Sequence, residues 1–136
     1  TTFIDSTMKS RVSHKMTLEF QNPTEEVIYC SPVKKITWRL IPRERTLVLT
    51  DQKIYLFKKD SISRIYEYRN LVGLVKSSSN QIILLAALSK NLHFDSAVDL
   101  PTLIALIQTN FHRDEPERTL KLYEVPEKNI SQYRKK

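Results

Sequence analysis

The chain has 136 residues, of which 40% are hydrophobic and 27% charged, and its formal net charge is +7. These values are typical of one folded globular domain and exclude an intrinsically disordered chain or two full-sized domains. No apolar run approaches the ~20 residues that cross a bilayer, so we expect no membrane span. No signal-peptide layout stands at the start, and the first residue is Thr1, so we expect a domain of a larger protein.

The sequence contains a single cysteine, Cys30, which rules out an internal disulfide and fits a reducing, intracellular setting. This cysteine lies in the apolar run VIYC, and free cysteines in such runs behave as small buried hydrophobic residues. We therefore expect Cys30 to be a structural thiol rather than a nucleophile.

The first 22 residues have mixed polarity, and Asn22-Pro23 breaks the chain after them. They predict a linker or N-terminal extension, or a short strand at MTLEF. From Glu26 to Leu40 apolar and polar residues alternate, which predicts a strand. Its apolar face carries Ile28, Cys30, Ile36, Trp38 and Leu40, and its opposite face carries Lys35, Thr37 and Arg39.

A turn is predicted at residues 41–44, because Pro42 pre-sets a turn φ and cannot donate to a strand ladder. A second strand, TLVLT, follows it. Further strands are predicted at KIYLFKK, ISRIYEY, Leu71–Lys76, QIILLAAL and LHF. About seven short strands separated by turn residues predict a barrel or a sandwich.

The pattern then changes to a helical period, with apolar residues at i, i+3, i+4, i+7 and i+11. Asp99 is placed to cap this helix, and Pro101 falls in its first turn. The apolar stripe consists of Leu100, Leu103, Ile104, Ile107 and Phe111. We expect this amphipathic helix to close an open end of the barrel. Residues 114–136 predict a C-terminal extension, in which LKLYEV forms an extra strand or a packed segment.

Positive charge is concentrated in one part of the chain. From Lys34 to Arg64 nine cations stand against three carboxylates, so nearly all of the excess positive charge lies in under a quarter of the sequence. A solvated surface usually intersperses charges of both signs, and clustering of this kind indicates an anionic partner.

Seven strands followed by one helix is the order of a pleckstrin-homology (PH) barrel. Within that class, VIYCSPVKKITW and RERTLVLTDQKIYLF resemble the tail homology domain of class I myosins, a PH-like lipid-binding module. The run LKLYEVPEKNISQY is similar to the end of PH-like segments that follow the kinase domain of some protist proteins. Positions that match the myosin pattern are Val33, Lys35, Ile36, Arg45, Leu47, Val48, Leu49, Thr50, Asp51, Ile54 and Tyr55. Trp38 and Leu40 depart from that pattern, which has a basic residue and a glycine there.

This resemblance implies an α+β, PH-like fold with about seven antiparallel strands in a partly open barrel, capped by one C-terminal amphipathic helix. The PH-like domain then spans residues 23–113, between the extensions 1–22 and 114–136. The implied function is membrane targeting of a larger intracellular protein, through binding of phosphoinositide or other anionic lipid headgroups at a basic first hairpin.

Phosphoinositide-binding PH domains share the pattern K-x(n)-[K/R]-x-R across this hairpin, and Lys35, Arg43 and Arg45 fit it. Residues two apart on a strand share a face, so both arginines can reach one site, and each guanidinium can bind two phosphate oxygens. The nearby tip residues Ile41 and Pro42 either insert among headgroups or pack on the barrel. The predicted headgroup-binding residues are Lys34, Lys35, Arg39, Arg43, Arg45, Lys58 and Lys59.

The main alternative is a protein-interaction or intramolecular regulatory module of the same fold. In that case the cations are solvated charges that keep strand edges from aggregating. The sequence pI of about 9.6 also suits nucleic-acid binding, but no recognition motif is present. Tyr55, Phe57, Tyr66 and Tyr68 alternate as packing residues do, so we expect no base-stacking platform.

The sequence contains no motif typical of a metal site, a phosphate-binding loop or a catalytic site. His14, His93 and His112 are far apart, and the single glycine, Gly73, does not make a phosphate-binding loop. No nucleophile and base stand out together. We therefore expect no enzymatic activity, metal or cofactor. The expected state is a monomer in the cytoplasm, peripheral at a membrane, with anionic lipids or another domain of the parent protein as partner.

Overall fold

The computed structural model describes residues 14–37, 41–95 and 100–126, together with Ile130. Two α-helices, a 3₁₀ turn and eight strands make up this part of the chain. In chain order they are α1 (His14–Leu18), β1 (Val27–Ile36), β2 (Pro42–Thr50), β3 (Lys53–Lys58), β4 (Ser61–Glu67), η1 (Tyr68–Asn70), β5 (Leu71–Ser77), β6 (Gln81–Ala86), β7 (Leu92–Asp95), α2 (Leu100–Asp114) and β8 (Leu122–Val125). Within the described residues, neither helix has the length and apolarity needed to cross a bilayer.

All eight strands belong to one sheet, in the order β4-β3-β2-β1-β7-β6-β5-β8. Neighbouring strands are antiparallel, except that β8 runs parallel to β5. Because β4 and β8 are the two ends of this order, the sheet does not close into a complete barrel. The predicted α+β architecture, a partly open sheet with one C-terminal helix, is confirmed. The eighth strand, from LKLYEV, adds to the roughly seven that were expected.

The inner face of the sheet and helix α2 enclose the main core. Strand alternation places Leu47 and Leu49 of β2 and Ile54 of β3 on this face. The whole predicted stripe of α2 is buried in the same cluster, as expected from its spacing. Pro101 lies in the first turn of α2, where its missing N–H breaks no helical hydrogen bond. The predicted cap, Asp99, lies outside the described residues.

The outer face of β1, β2 and β3 carries a second apolar cluster. Cys30, Val48, Tyr55 and Phe57 are buried in it, and Met16 of α1 packs against them. Burial of the Cys30 side chain confirms its expected structural role in packing. Both faces of these strands are therefore covered, which is unusual for antiparallel strands in a small domain.

The prediction of a short strand at MTLEF is wrong, because these residues form helix α1 and the turn after it. In a strand, Met16, Leu18 and Phe20 would all share one face. In the structure Met16 and Phe20 pack on the outer cluster, whereas Leu18 is 69% exposed. The helix thus buries two apolar side chains and leaves the third in water.

Polar contacts fix the chain between α1 and β1 to the sheet. The Glu25 carboxylate accepts hydrogen bonds from the hydroxyls of Thr50 and Tyr55. The backbone N–H of Gln21 donates to Tyr55 Oη at 3.0 Å. Burial and the bond to Glu25 raise the pKa of Tyr55 well above its ordinary value, so its hydroxyl stays protonated as a donor.

The segment after α2 also packs on the sheet. Leu120 is buried in the main core, and β8 pairs with β5 in a register that sets Leu122 beside Leu74. On the outer face, Ile130 is buried against Val75 and Ile83. The residues that follow α2 therefore contribute to both apolar faces of the sheet.

Replacement of Leu103 by alanine tests how far the fold depends on α2. Leu103 is fully buried in the main core, so Leu103→Ala should lower the free energy of unfolding by about 2–5 kcal/mol. The matched control is Thr109→Ala, an exposed position on the same helix, which should change stability by no more than about 0.5 kcal/mol. Urea denaturation followed by circular dichroism measures both. Equal losses would show that α2 is not held by its apolar stripe.

Candidate functional site

The first hairpin differs from its predicted layout. Pro42, Arg43 and Glu44 were expected to form the turn, but they begin strand β2. Pro42 pairs with Ile36, and a proline is tolerated there because it is the first residue of its strand. The connection spans residues 37–41 and is closed by a backbone hydrogen bond from Thr37 N–H to the Ile41 carbonyl at 3.1 Å. Trp38, Arg39 and Leu40, all within this connection, lie outside the described residues.

The three cations of the predicted binding pattern share the inner face of the hairpin. Lys35 lies opposite Arg43, and Val33, a core residue, lies opposite Arg45. Directly opposed residues of an antiparallel pair point to the same face, with Cβ atoms about 4.5–5.5 Å apart. The core face therefore continues into a cationic end. Lys35 lies on the face opposite Cys30, as predicted, but the expectation that this face is the polar one is wrong, because Tyr29 and Val33 on it are buried in the main core.

Lys34 faces the other side of the hairpin and has a different environment. It lies opposite Glu44 on β2 and opposite Asp95 on β7. Opposite charges in cross-strand positions attract one another and stabilise the pairing. Lys34 is thus placed between two carboxylates, while Lys35, its neighbour in sequence, is not.

Lys35 shares its face of the hairpin with two other cations, Arg43 and Arg45. Burial is the main cause that lowers the pKa of its ammonium group, followed by repulsion from Arg64, Arg45 and Lys90. Among the described residues, each charge that shifts the pKa of this ammonium is positive. We call Lys35, Arg45, Arg64 and Lys90 the cationic cluster.

Arg64 and Lys90 were not among the predicted site residues. Arg64 Nη1 donates hydrogen bonds to Tyr66 Oη at 3.1 Å and to the Asn91 carbonyl at 3.0 Å. The Tyr66 hydroxyl donates to the Lys90 carbonyl at 2.8 Å. These bonds hold the β6–β7 loop, residues 87–91, against β4. No local spacing in the sequence signals this arrangement, because it joins segments more than 20 residues apart.

Arg45 has an incomplete set of hydrogen bonds. Its Nη1 donates to the backbone carbonyl of Glu44 at 2.7 Å. Its Nε is buried and has no hydrogen-bond partner in the part of the chain that the structure describes. A buried N–H donor without a partner costs about 1–3 kcal/mol, and more when the group is charged. A hydrogen-bond acceptor on a ligand, or on a residue outside the described part of the chain, would remove that cost.

The remaining predicted cations lie on the neighbouring turn. Lys58 ends β3 and Lys59 follows it in the β3–β4 turn, and both line a cavity of about 950 Å³ along the hairpin. Lys59 has φ of 57°, a left-handed conformation that favours glycine. The cavity is lined by Pro32, Val33, Lys34, Pro42, Arg43, Glu44, Arg45, Thr46, Lys58, Lys59 and Asp95.

Together these residues form one end of the molecule, which we call the basic end: the β1–β2 hairpin, the β3–β4 turn and the β6–β7 loop. It presents the cationic cluster beside the hairpin cavity, and Arg45 belongs to both. Chemically, the basic end can bind a group with several negative charges, since arginine offers paired N–H donors and lysine a mobile positive charge.

Other kinds of site find little support in the described residues. No group of histidine, cysteine, aspartate and glutamate side chains there is placed to hold a metal ion. Tyr55, Phe57, Tyr66 and Tyr68 are all buried in the two apolar clusters. As expected from their alternation, these aromatic residues pack inside the protein, so their rings do not form an exposed surface for stacked bases.

Comparisons with known proteins identify the fold. No family model matches the chain, and no curated protein matches it. Among solved structures, the hSac2 domain of the human phosphoinositide phosphatase Sac2 is similar, with 12% identity, a TM-score of 0.61 and 88% of each chain covered. The DH/PH domain of human ARHGEF11, solved in a ternary complex with human RhoA and its inhibitor, has 13% identity and a TM-score of 0.58.

The match to the ARHGEF11 structure covers 80% of this chain and 36% of the chain in that structure. An activated truncation of Vav1 gives 12% identity and a TM-score of 0.58, with coverage of 83% and 34%. The chain thus spans about a third of each of these two multidomain structures. Identities this low establish the fold alone. The protein therefore has a PH-like fold.

Replacement of Lys35 by glutamine tests whether the cationic cluster is under repulsive strain. A lowered lysine pKa means that the folded state binds this proton less tightly than the unfolded chain. The charge thus opposes folding below the lowered pKa, and this effect disappears as the pH rises through 10.5. At pH 7 and low salt, Lys35→Gln should raise the urea midpoint. The gain should shrink at high salt, where repulsion is screened.

The control for this experiment is Lys121→Gln, which removes an exposed lysine from the segment before β8. It should leave the urea midpoint nearly unchanged at both salt concentrations. If Lys35→Gln were instead less stable than the wild type at low salt, the charge of Lys35 would not be opposed by its neighbours.

Proposed function

We propose that this PH-like domain is a membrane-targeting module that binds phosphoinositides or other anionic lipid headgroups at its basic end. The observation that carries the proposal is the cross-strand register that sets Lys35, Arg43 and Arg45 on one face of the hairpin. Arg45, Arg64 and Lys90 repel the partly buried ammonium of Lys35 and lower its pKa, which adds support. Like charges held together on a sheet destabilise a protein that has no ligand. A headgroup with several phosphates would turn this repulsion into attraction.

Within the site, Lys35, Arg43 and Arg45 make the direct phosphate contacts. Their shared inner face supports this role, as does the unpartnered, buried Nε of Arg45. Lys58 and Lys59 approach from the turn beside the hairpin and strengthen the field. Lys34 has a smaller part because two carboxylates face it, and Arg39 remains a predicted contributor that lies outside the described residues.

The conformation of Lys59 also fits a binding role. A residue other than glycine in the left-handed region costs roughly 1–2 kcal/mol. Glycine or asparagine is the common choice at such a turn position. A lysine at φ of 57° keeps a positive charge at the tip of the β3–β4 turn, beside the hairpin cavity. Retaining that charge is a functional reason for an otherwise unfavourable residue.

The domain acts, on this proposal, as a non-enzymatic part of a larger intracellular protein and lies at the cytoplasmic surface of a membrane. The narrower resemblance to the class I myosin tail homology domain, and to the PH-like segments of some protist kinases, stays a prediction. The Sac2 match does not bring phosphatase activity with it, because it rests on fold alone.

Vesicle sedimentation of the double variant Arg43→Ala/Arg45→Ala tests the proposed site. Each basic residue near an anionic surface contributes about 1 kcal/mol, so losing two should weaken binding about 30-fold. A charge-matched control, Arg69→Ala/Lys121→Ala, removes two exposed cations elsewhere on the molecule and should bind nearly as well as the wild type. Both proteins should be tested on phosphatidylcholine vesicles with and without a phosphatidylinositol bisphosphate.

Equal binding by the two double variants would contradict the proposal, as would failure of the wild type to bind phosphoinositide vesicles at low salt. The second result would favour the alternative, a protein-interaction or intramolecular regulatory module. One observation supports that alternative: β8 is an edge strand of the described sheet, its Leu122 and Tyr123 are exposed, and so is Val72 of the neighbouring β5. An edge of this kind can accept another strand.

A further inference from the structure

Leu88 is the most exposed large hydrophobic side chain among the described residues, with 78% of its surface accessible. It lies in the β6–β7 loop, two residues before Lys90 of the cationic cluster. Single exposed hydrophobic residues are common on proteins, so exposure alone is no sign of function. The surroundings of this leucine distinguish it from the others.

The β6–β7 loop is fastened on both sides of Leu88. Each fastening is a hydrogen bond of 2.8–3.0 Å that joins the loop, or its own two ends, to a defined partner. The bonds run from Ala86 N to Asn91 Oδ1, from Ala87 N to the Asn70 carbonyl, from Tyr66 Oη to the Lys90 carbonyl and from Arg64 Nη1 to the Asn91 carbonyl. Leu88 is thus held in water by a well-connected loop.

The composition of this loop changes from apolar to cationic over four residues, Ala87-Leu88-Ser89-Lys90. An aliphatic side chain beside a lysine suits the boundary between headgroups and acyl chains. The leucine is buried there, while the ammonium of the lysine remains among the phosphates. Strand β7, which begins two residues after Lys90, pairs antiparallel with β1 at Phe94 and Lys35, so the β6–β7 loop and Leu88 lie at the same end of the sheet as the proposed headgroup site.

A second exposed aliphatic residue flanks the site from the hairpin. Ile41, at the end of the β1–β2 connection, is 41% exposed. The basic end therefore carries apolar side chains on two separate loops, with cations of the cluster associated with both. A soluble anion cannot bury these apolar side chains. An anionic membrane offers negative charge to the cations and an apolar interior in which Leu88 and Ile41 can be buried.

We propose that Leu88 inserts into an anionic membrane and that the β6–β7 loop is thereby a membrane anchor, with Ile41 as a second contact. This inference rests on the proposed function and deepens it, because it assigns a membrane surface rather than a free headgroup as the partner. Binding then has two components. The cations supply one that weakens with salt, and Leu88 supplies one that does not.

The first experiment compares Leu88→Ser with Leu18→Ser, which removes another highly exposed leucine from α1 on the outer face of the sheet. Vesicles of phosphatidylcholine, phosphatidylserine and a phosphatidylinositol bisphosphate measure membrane binding, and inositol trisphosphate measures the headgroup site alone. Burial of one leucine side chain predicts that Leu88→Ser binds vesicles about tenfold more weakly. It should bind inositol trisphosphate like the wild type, and Leu18→Ser should match the wild type in both assays.

The second experiment reports on insertion directly. Cys30 is fully buried, so a polarity-sensitive fluorophore can be attached selectively to Leu88→Cys or, as the control, to Leu18→Cys. On addition of vesicles, the emission of the probe at position 88 should shift to the blue. The probe at position 18 should report water before and after addition.

Headgroup binding and insertion of Leu88 can be disproved separately. If the wild type binds inositol trisphosphate and vesicles, but Leu88→Ser binds vesicles equally well and the probe at position 88 stays in water, insertion is wrong and the headgroup site stands. If the wild type binds neither ligand, the proposed function is wrong and insertion fails with it. A blue shift at both positions would point to unfolding on the vesicle and would also overturn insertion.

Discussion

The register between β1 and β2 determines which charged side chains share a face at the basic end. It sets Lys35 opposite Arg43 and Val33 opposite Arg45, so the face that holds the core also holds the cations. A shift of one residue would turn these side chains to the outer face, where Lys34 meets Glu44 and Asp95. The same pairing that buries the apolar residues of the hairpin thus keeps Lys35, Arg43 and Arg45 together on one face and Glu44 on the other.

Several local features at the basic end lower the stability of the free protein and favour binding of an anion. Lys35 is partly buried among like charges, Arg45 keeps a buried N–H without a partner in the described chain, and Lys59 occupies a conformation suited to glycine. Each is unfavourable in isolation, and each would be relieved or explained by a bound polyanion. The stability of the domain comes from elsewhere, chiefly from the two apolar clusters on either face of the sheet and from α2. Sites that lower stability for the sake of function are common in proteins.

The sequence predicted the features that depend on local periodicity. The stripe of α2 and the alternation in β2 and β3 each lie within one element, so they can be recognised from spacing. Predictions failed where distant segments decide the outcome. MTLEF becomes a helix because it packs on an outer apolar face that no local pattern reveals. The face of β1 that carries Lys35 was expected to be polar, but it belongs to the main core because β1 is covered on both sides. Arg64 and Lys90 join the site only because the β6–β7 loop folds against β4.

If the cationic cluster is an anion site, the charge of Lys35 responds directly to a bound anion. Lysine-selective NMR can follow the titration of the Lys35 ammonium with and without inositol trisphosphate. We expect the pKa of Lys35 to lie below 10.5 in the free protein and to rise on addition of the ligand. A pKa of Lys35 that does not respond to the ligand would show that the cationic cluster is not an anion site.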